Sequence, residues 1–419
     1  MKKTIKCRLC GEKIAKCTLD LGMTPIANRM IEESQLEGEE KYYPLRICRC
    51  SSCGLVQLMD DVNPKDIFTE YPYYSSFSKG WLNHAKDYSE KMQKVIPENA
   101  TVIEIACNDG YLLQNFTDKQ YTVYGIEPSE NVAQVSVKKG INTIIDFFTT
   151  KLAKQMVLEN KVADLIIANN VVIEVPDIND FMQGVSLVLK DSGIATFEFQ
   201  YVKNIIDLVQ FDTIFHEHYS FFSLTVFEAL LNKHGLCTYD VELLPSHGGS
   251  LRVFAKHKNN NLLEKQIIVD EMLEEEIRRG INSEEYYENF SDKVQMFKKD
   301  FCQCIEEIQR KGKKIAGFGA AAKGNTLLNY CGIGRGDIDF VIDEIRFKQG
   351  KYLPGTKIPV YPLSELKKRK PDYLVVLPWN FEKEIVEKTS FIYEWGAKHI
   401  IPKNIIKIIS NGQTIEYNR

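Results

Sequence analysis

No apolar run in this chain approaches the roughly 18 residues of a membrane-crossing helix, so no helical span is expected. The first residues, MKKTIKCRLC, have no apolar core, which argues against a signal peptide. Internal repeats and low-complexity tracts are missing as well. A surplus of positive charge is also absent: the formal net charge is −4, so nothing in the bulk electrostatics favours nucleic acid or an anionic membrane. The eleven cysteines do not make a disulfide framework. Four fall in two close pairs, and Cys17, Cys48, Cys107, Cys237, Cys302, Cys304 and Cys331 have no framework spacing. These absences together suit a reducing, cytoplasmic location. What remains is an ordinary globular balance, 44% hydrophobic and 26% charged over 419 residues, enough for about two to four domains.

The two cysteine pairs are the most informative feature present. Cys7 and Cys10 stand in CRLCGEK, and Cys50 and Cys53 in CRCSSCGLVQL, each pair followed by a glycine, Gly11 or Gly54. A tight turn brings both sulfurs of one knuckle to one ion, and the intervening segment is long enough to return the second pair. The spacing predicts a structural zinc on Cys7, Cys10, Cys50 and Cys53, with Cys48 an alternative to Cys50. Four thiolates leave no open coordination position, so this metal is expected to hold the fold and do no chemistry. A set of buried or redox-active cysteines is the plainer alternative.

Residues 1–70 carry the knuckles and short strand-like runs, and are expected to form a zinc-binding module. From Thr101 the pattern turns into strand and helix in alternation: TVIEIA, YTVYGIE, ADLIIANN and GIATFEF read as strands with helices between them. Alternation of this kind means a parallel sheet covered on both faces. The second domain is placed at residues 71–258. Residues 259–310 read as a charged helical connector with a solvated face. Alternation restarts with KKIAGFG, AAAKGNTLLNY, IDFVIDE and DYLVVLP, so residues 311–419 are expected to form a second nucleotide-type, Rossmann-like α/β domain.

In the first α/β unit TVIEIA runs into CNDGYLL. Glu104, Asn108, Asp109 and Gly110 therefore sit where the first strand turns into the first helix, at the end where such folds bind ligands. Glu127, in YGIEPS, ends the second strand, where a carboxylate can accept both hydroxyls of an adenosine ribose. A NAD-binding fold also places an acid there. However, EIACNDG lacks the three-glycine turn that a pyrophosphate needs, whereas S-adenosylmethionine (SAM) has no phosphate. The reading is a class I, SAM-dependent methyltransferase domain. Asn169 and Asn170 end the ADLIIANN strand on the same rim, unless they only cap it.

FDTIFHEHYSFFS puts His216, Glu217 and His218 among aromatic residues, and these two are among only seven histidines. A surface turn is the bland alternative, and HxH is too sparse to be a metal motif of the HExxH kind. General acid or base work fits better. An imidazole packed among Phe215, Tyr219, Phe221 and Phe222 has its pKa moved by desolvation, and a neighbouring carboxylate can move it back.

Taken in order, DLGMTPIANRM, CGLVQL, YPYYSSFSKGWLNHA, EIACNDGYLL, FHEHYSFFS, SHGGSLRVF, AGFGAAAKGNTLLNY and VIDEIRFKQGKYLPGTKIPV make the chain resemble the three-domain sugar C-methyltransferases, which methylate nucleotide-linked keto-deoxysugars. The resemblance covers nearly the whole chain. It implies SAM in the middle domain and the nucleotide-sugar between the middle and carboxy-terminal domains. It also implies removal of the proton beside a C4 ketone, followed by in-line attack of the enediolate carbon on the methyl group. His218 is then the base, with Glu217 orienting it or binding the substrate, and His216 and Glu174 complete the catalytic set. Tyr73, Tyr74, Ser75 and Ser76 are expected to close over SAM and the sugar. Gly319, Ala321, Lys323, Gly324 and Asn325 are expected near the diphosphate, where small residues admit the backbone, a helix N-terminus supplies N–H donors and Lys323 supplies charge. Asp343 and Lys348 are expected on the nucleotide side.

Two positions depart from the family pattern. Glu174 stands before VPD where the family usually has His, and Phe215 stands before HEH where it usually has Tyr. Both are expected at the sugar, and a glutamate stabilises enediolate charge poorly unless it is protonated. The resulting expectation is a monomeric SAM-dependent methyltransferase with a structural zinc. It would act on a dTDP-, GDP- or CDP-linked ketosugar and bind neither nucleic acid nor membrane. An O-methyltransferase of a nucleotide-sugar and a binding protein that has lost catalysis are the alternatives. A zinc-dependent nucleic-acid binder would need a basic face, and residues 1–60 mix Lys and Arg with Glu.

Overall fold

The computed structural model describes residues 5–68, 74–117 and 120–417. The amino-terminal hairpin of β1 (Ile5–Lys6) and β2 (Lys13–Ile14) carries the first knuckle in its turn. An antiparallel sheet follows, made of β3 (Leu19–Thr24), β4 (Tyr43–Arg49) and β5 (Val56–Leu58). Leu45 and Ile47 lie two apart on β4, so both reach the same buried face and pack with Leu19, Leu21 and Leu58. The second knuckle is the connection from β4 to β5.

The middle of the chain supplies β6 (Thr101–Ile105), β7 (Thr122–Ile126), β8 (Asn142–Ile144), β9 (Ala163–Asn169), β10 (Leu189–Gln200), β11 (Ser220–Phe221), β12 (Leu236–Leu244) and β13 (Ser250–His257). Seven of these build one sheet in the order β12-β13-β10-β9-β6-β7-β8. The pairs β6–β7, β7–β8, β6–β9 and β9–β10 are parallel, while β13 runs antiparallel to both neighbours. β6 and β9 are nearly continuous buried apolar runs, as parallel strands covered on both faces must be. The order reverses between β6 and β9, which opens a crevice at their carboxyl ends.

β11 leaves this sheet. It pairs with β5, Ser220 opposite Gln57 and Phe221 opposite Val56. The segment directly after His-Glu-His is thereby stapled to the amino-terminal sheet, a pairing of high sequence separation.

The charged stretch folds into helices Ile267–Arg279 and Phe290–Arg310. In the second, Val294, Phe297, Phe301, Ile305 and Ile308 recur every three or four residues and are buried, so the charges occupy the other face. The last sheet contains β14 (Ile315–Phe318), β15 (Val341–Ile342), β16 (Val360–Tyr361), β17 (Tyr373–Val376), β18 (Lys398–Pro402), β19 (Ile406–Ser410) and β20 (Gln413–Glu416) in the order β16-β15-β14-β17-β18-β19-β20. The first five are parallel, and β19 and β20 add an antiparallel edge. The order reverses between β14 and β17, and helix Ala322–Cys331 begins beside that point. A single buried cluster holds Leu45 and Val56, then Ile205 and Tyr219, then Leu327 and Leu377, so the three parts share a core. Among the described residues no helix is long and apolar enough to cross a membrane.

Candidate active site

The two knuckles fold alike. The Gly11 N–H bonds the Cys7 carbonyl and the Gly54 N–H bonds the Cys50 carbonyl, each at 2.9 Å. Both glycines sit at positive φ, 81° and 82°, a conformation a side chain would strain. The Sγ atoms of Cys7, Cys10, Cys50 and Cys53 all lie within 4.8 Å of one another, with Cys7–Cys53 at 3.4 Å and Cys10–Cys50 at 3.6 Å. Sulfurs about 2.3 Å from a tetrahedral zinc are about 3.8 Å apart, so this donor set fits the metal. Cys48 stands aside. It faces the Gln57 carbonyl at 3.7 Å, and burial pushes its thiol up to about 12.

At the carboxyl ends of β6 and β7 the residues expected to hold SAM form one hydrogen-bonded turn. Glu127 accepts the backbone N–H of Asn108 at 3.0 Å and that of Ser129 at 2.8 Å. Burial raises its pKa against those bonds. Gly110 has φ 75°, and a Cβ there would lie 2.5 Å from Ile141 Cδ1, so only glycine closes the turn. The Ser75 N–H donates to Asn108 Oδ1 at 2.9 Å, and the Ser76 N–H to Asp109 Oδ2 at 3.3 Å. Ser76 Oγ also accepts Lys139 Nζ at 2.9 Å, and the Tyr74 hydroxyl accepts Asn131 Nδ2 at 3.2 Å. Tyr73 lies outside the described residues.

Four buried side-chain acceptors here have no hydrogen-bond partner among the described residues: Glu104 Oε2, Asp109 Oδ1, Asn169 Oδ1 and Asn170 Oδ1. A buried acceptor left unpaired costs about 1–3 kcal/mol. Acceptors gathered at two strand ends suit a ligand rich in hydroxyl and ammonium donors, as SAM is. Burial, followed by the charges of Asp109 and Glu127, raises Glu104 well above the ordinary carboxylate range.

The His-Glu-His segment makes a turn, with the His218 N–H on the Phe215 carbonyl at 2.9 Å, and its three side chains diverge. His216 turns to the amino-terminal module, its Nε2 on the Pro44 carbonyl at 3.2 Å. Glu217 receives both its bonds from Asn28 Nδ2, at 2.9 and 2.8 Å, and burial lifts it to about 7 against the pull of Asn28 and Lys348. His218 donates from Nδ1 to the Thr213 carbonyl at 2.8 Å, which leaves Nε2 without a proton. That nitrogen lies 3.9 Å from Glu174 Oε1. Burial, opposed by the Thr213 bond and reinforced by Lys323 and His247, brings His218 down to about 3. Burial and then the charges of Glu217 and Glu127 hold Glu174 well above its usual range. Phe215 packs on the His218 ring, centroids 3.9 Å apart.

The carboxy-terminal turn faces this segment. Gly319 has φ 92° and a Cβ there would sit 2.5 Å from Pro378 Cδ, while one on Gly324 would sit 2.7 Å from Leu377 Cβ. Ala321 caps the helix in extended conformation. Asn325 Nδ2 donates to the Ala27 carbonyl at 2.6 Å, so adjacent residues Ala27 and Asn28 tie the amino-terminal module to both other parts. Lys323 Nζ donates to the His247 carbonyl at 2.8 Å and lies 4.6 Å from the centre of the Trp379 ring. Burial lowers it to about 8 against the opposing charge of Asp212. Trp379 Nε1 donates to Asp212 at 2.5 Å. Asp343 Oδ2 accepts the Ala320 N–H at 2.8 Å, and Lys348 Nζ, 3.7 Å from Asp343, donates to the Ala320 carbonyl at 2.7 Å.

Sequence reasoning missed Asn28, Thr213, Asp212, His247 and Trp379. Asn28 and His247 stand in the motifs PIANRM and SHGGS, yet only the folded chain brings either to His-Glu-His or Lys323.

Comparison with known proteins bears on each part. Residues 7–68 match a family described as a zinc binding domain, residues 82–240 a methyltransferase domain, and residues 245–403 a C-methyltransferase C-terminal domain. The C-methyltransferase NovU of Streptomyces niveus is 32% identical over 412 residues, which is 98% of each chain. Among solved structures, a protein from Pyrococcus horikoshii OT3 aligns with a TM-score of 0.37 at 16% identity over 45% of this chain and 96% of its own. The SAM-bound magnesium protoporphyrin IX methyltransferase of Synechocystis PCC 6803 aligns with a TM-score of 0.32 at 12% identity, over 42% of this chain and 78% of its own.

Proposed function

Because this chain belongs to the C-methyltransferase family and is SAM-dependent, we propose that it methylates a carbon beside the ketone of a nucleotide-activated deoxysugar. The observation that carries this reading is His218 itself. Its unprotonated Nε2 stands 3.9 Å from Glu174, within reach of the charge of Lys323, while Glu174 feels that of Glu127 at the SAM turn.

Bound SAM supplies an electrophilic methyl group, which the acceptor carbon takes as the carbon–sulfur bond breaks, leaving S-adenosylhomocysteine. The chain's residues prepare that carbon. His218 Nε2 removes the proton beside the ketone. It is neutral and needs no prior deprotonation. The burial that keeps it neutral also weakens it as a base, so the negative charge developing on the substrate beside it has to restore its proton affinity. The Thr213 carbonyl fixes the tautomer and becomes a stronger partner once the ring is charged. Glu174, kept protonated by burial, donates to the enediolate oxygen as a neutral acid and leaves no competing negative charge. Phe215 offers no hydroxyl. It dries and shapes the face of the base. The N-terminus of helix Ala322–Cys331, with Lys323 in its first turn, suits the diphosphate, while Gly319 and Gly324 are small because Pro378 and Leu377 pack against them.

Incubation with SAM and a panel of nucleotide-linked 4-ketosugars in deuterated water tests the reading, with mass spectrometry reporting methyl gain and hydrogen exchange separately. Methylation of a ketosugar carbon is expected. Methylation confined to sugars without a ketone contradicts it.

A further inference from the structure

The loop from β12 to β13 carries Ser246, His247, Gly248 and Gly249, and no step above uses their side chains. Three of them are clamped from different sides. Ser246 Oγ donates to Glu198 Oε1 at 2.7 Å, and Glu198 Oε2 also meets His84 Nε2 at 2.8 Å and Arg252 Nη2 at 2.7 Å. The Gly248 carbonyl accepts Gln210 Nε2 at 2.8 Å, and a Cβ on Gly248 would lie 2.5 Å from Trp379 Cη2. The His247 carbonyl accepts Lys323 Nζ at 2.8 Å.

Inside this clamp His247 holds φ 53°, a conformation uncommon for residues other than glycine. With two glycines following, the turn alone does not call for an imidazole. The ring is half-buried and packs edge-on against Trp81, centroids 5.2 Å apart. Trp81 in turn stacks on His84 at 4.7 Å and on Tyr111 of the SAM turn at 6.1 Å. No described residue makes a hydrogen bond to its ring nitrogens. The side chain of His247 therefore lies toward the methyl-donor side, while its carbonyl reaches the turn proposed for the diphosphate. The sugar of a nucleotide-activated substrate has to lie between those two.

We propose that His247 is a substrate-binding residue whose imidazole hydrogen-bonds an oxygen of the sugar. Burial first, then the charge of Lys323, brings it to about 4, against the attraction of Glu198. A neutral ring carries one donor and one acceptor nitrogen, so it can meet a hydroxyl or a carbonyl. This assignment rests on the nucleotide-sugar reading.

The test compares His247→Gly and His247→Asn with the wild type for ketosugar KM, SAM affinity and melting temperature. Glycine adopts this backbone freely, so the Gly variant is expected to melt no lower than the wild type and to bind SAM equally, while its ketosugar KM rises about tenfold or more. Asparagine tolerates the same φ and offers a donor and an acceptor, and is expected to recover most of that loss. A Gly variant with KM within about twofold of the wild type, or a parallel loss of SAM affinity, overturns the assignment while the substrate reading stands. Wild-type enzyme that turns over no nucleotide-linked ketosugar overturns both.

Discussion

His218 points its unprotonated Nε2 at the carboxyl of Glu174, 3.9 Å away, while its other nitrogen is tied to the Thr213 carbonyl. Both side chains are pushed by burial toward their neutral forms. The pair is a neutral base facing a neutral acid, which differs from an ion pair in what it predicts.

If Glu174 donates as an acid, Glu174→Gln keeps a donor and should retain activity within about tenfold, whereas Glu174→Ala should lose about 10²–10³ in kcat. The wild-type rate should also fall as rising pH ionises Glu174, and the Gln variant should lack that limb. Equal kinetics for Gln and Ala variants contradict the role.

Glu217 is lifted by burial to about 7, with Asn28 and Lys348 opposing. Its folded-state pKa lies above the unfolded value of about 4.3, so the folded chain binds the extra proton. Stability should therefore decline as pH rises from about 4.3 through 7, and Glu217→Gln should flatten that decline in a melting-temperature series. Asn28→Ala removes the bond that favours the charged form and should move the transition to higher pH. A melting profile that Glu217→Gln leaves unaltered counts against this.

Glu198 shows the opposite sign. Burial pushes it up, but His84, Arg252 and Ser246 outweigh burial and hold it at about 2. Its contribution is present above about 4.3 and is lost as pH falls toward 2. Arg252→Met leaves a buried carboxylate short of its cation and should cost about 3–5 kcal/mol in denaturant melts at neutral pH. A loss under about 1 kcal/mol contradicts that.

Zinc removal should reach the active site. The knuckle after Arg49 leads into β5, which pairs with β11, and Asn28 holds Glu217. A chelator should lower the melting temperature and abolish methyl transfer together. Full activity in metal-free protein contradicts the coupling.

Much of this was legible in the sequence because it depends on local spacing. Cys7-x-x-Cys10 and Cys50-x-x-Cys53 each set a knuckle within one turn, and the run from Glu104 to Gly110 ends a strand as its pattern implies. What escaped depends on long-range closure. Nothing in FHEHYSFFS says that Ser220 and Phe221 pair with β5, so the divergence of His216 from His218 could not be read from spacing. Asn28 meets Glu217 across 189 positions. His247 owes its orientation to Trp81, Glu198 and Lys323, which come from three separate stretches of chain.

The central claim is that His218 takes a proton from carbon, and hydrogen exchange without methyl transfer reads that step alone. With S-adenosylhomocysteine in place of SAM, the wild type in deuterated water should exchange the hydrogen beside the ketone of its sugar substrate. His218→Ala should do so about 10²–10⁴ times more slowly. Exchange by the variant at the wild-type rate contradicts the account.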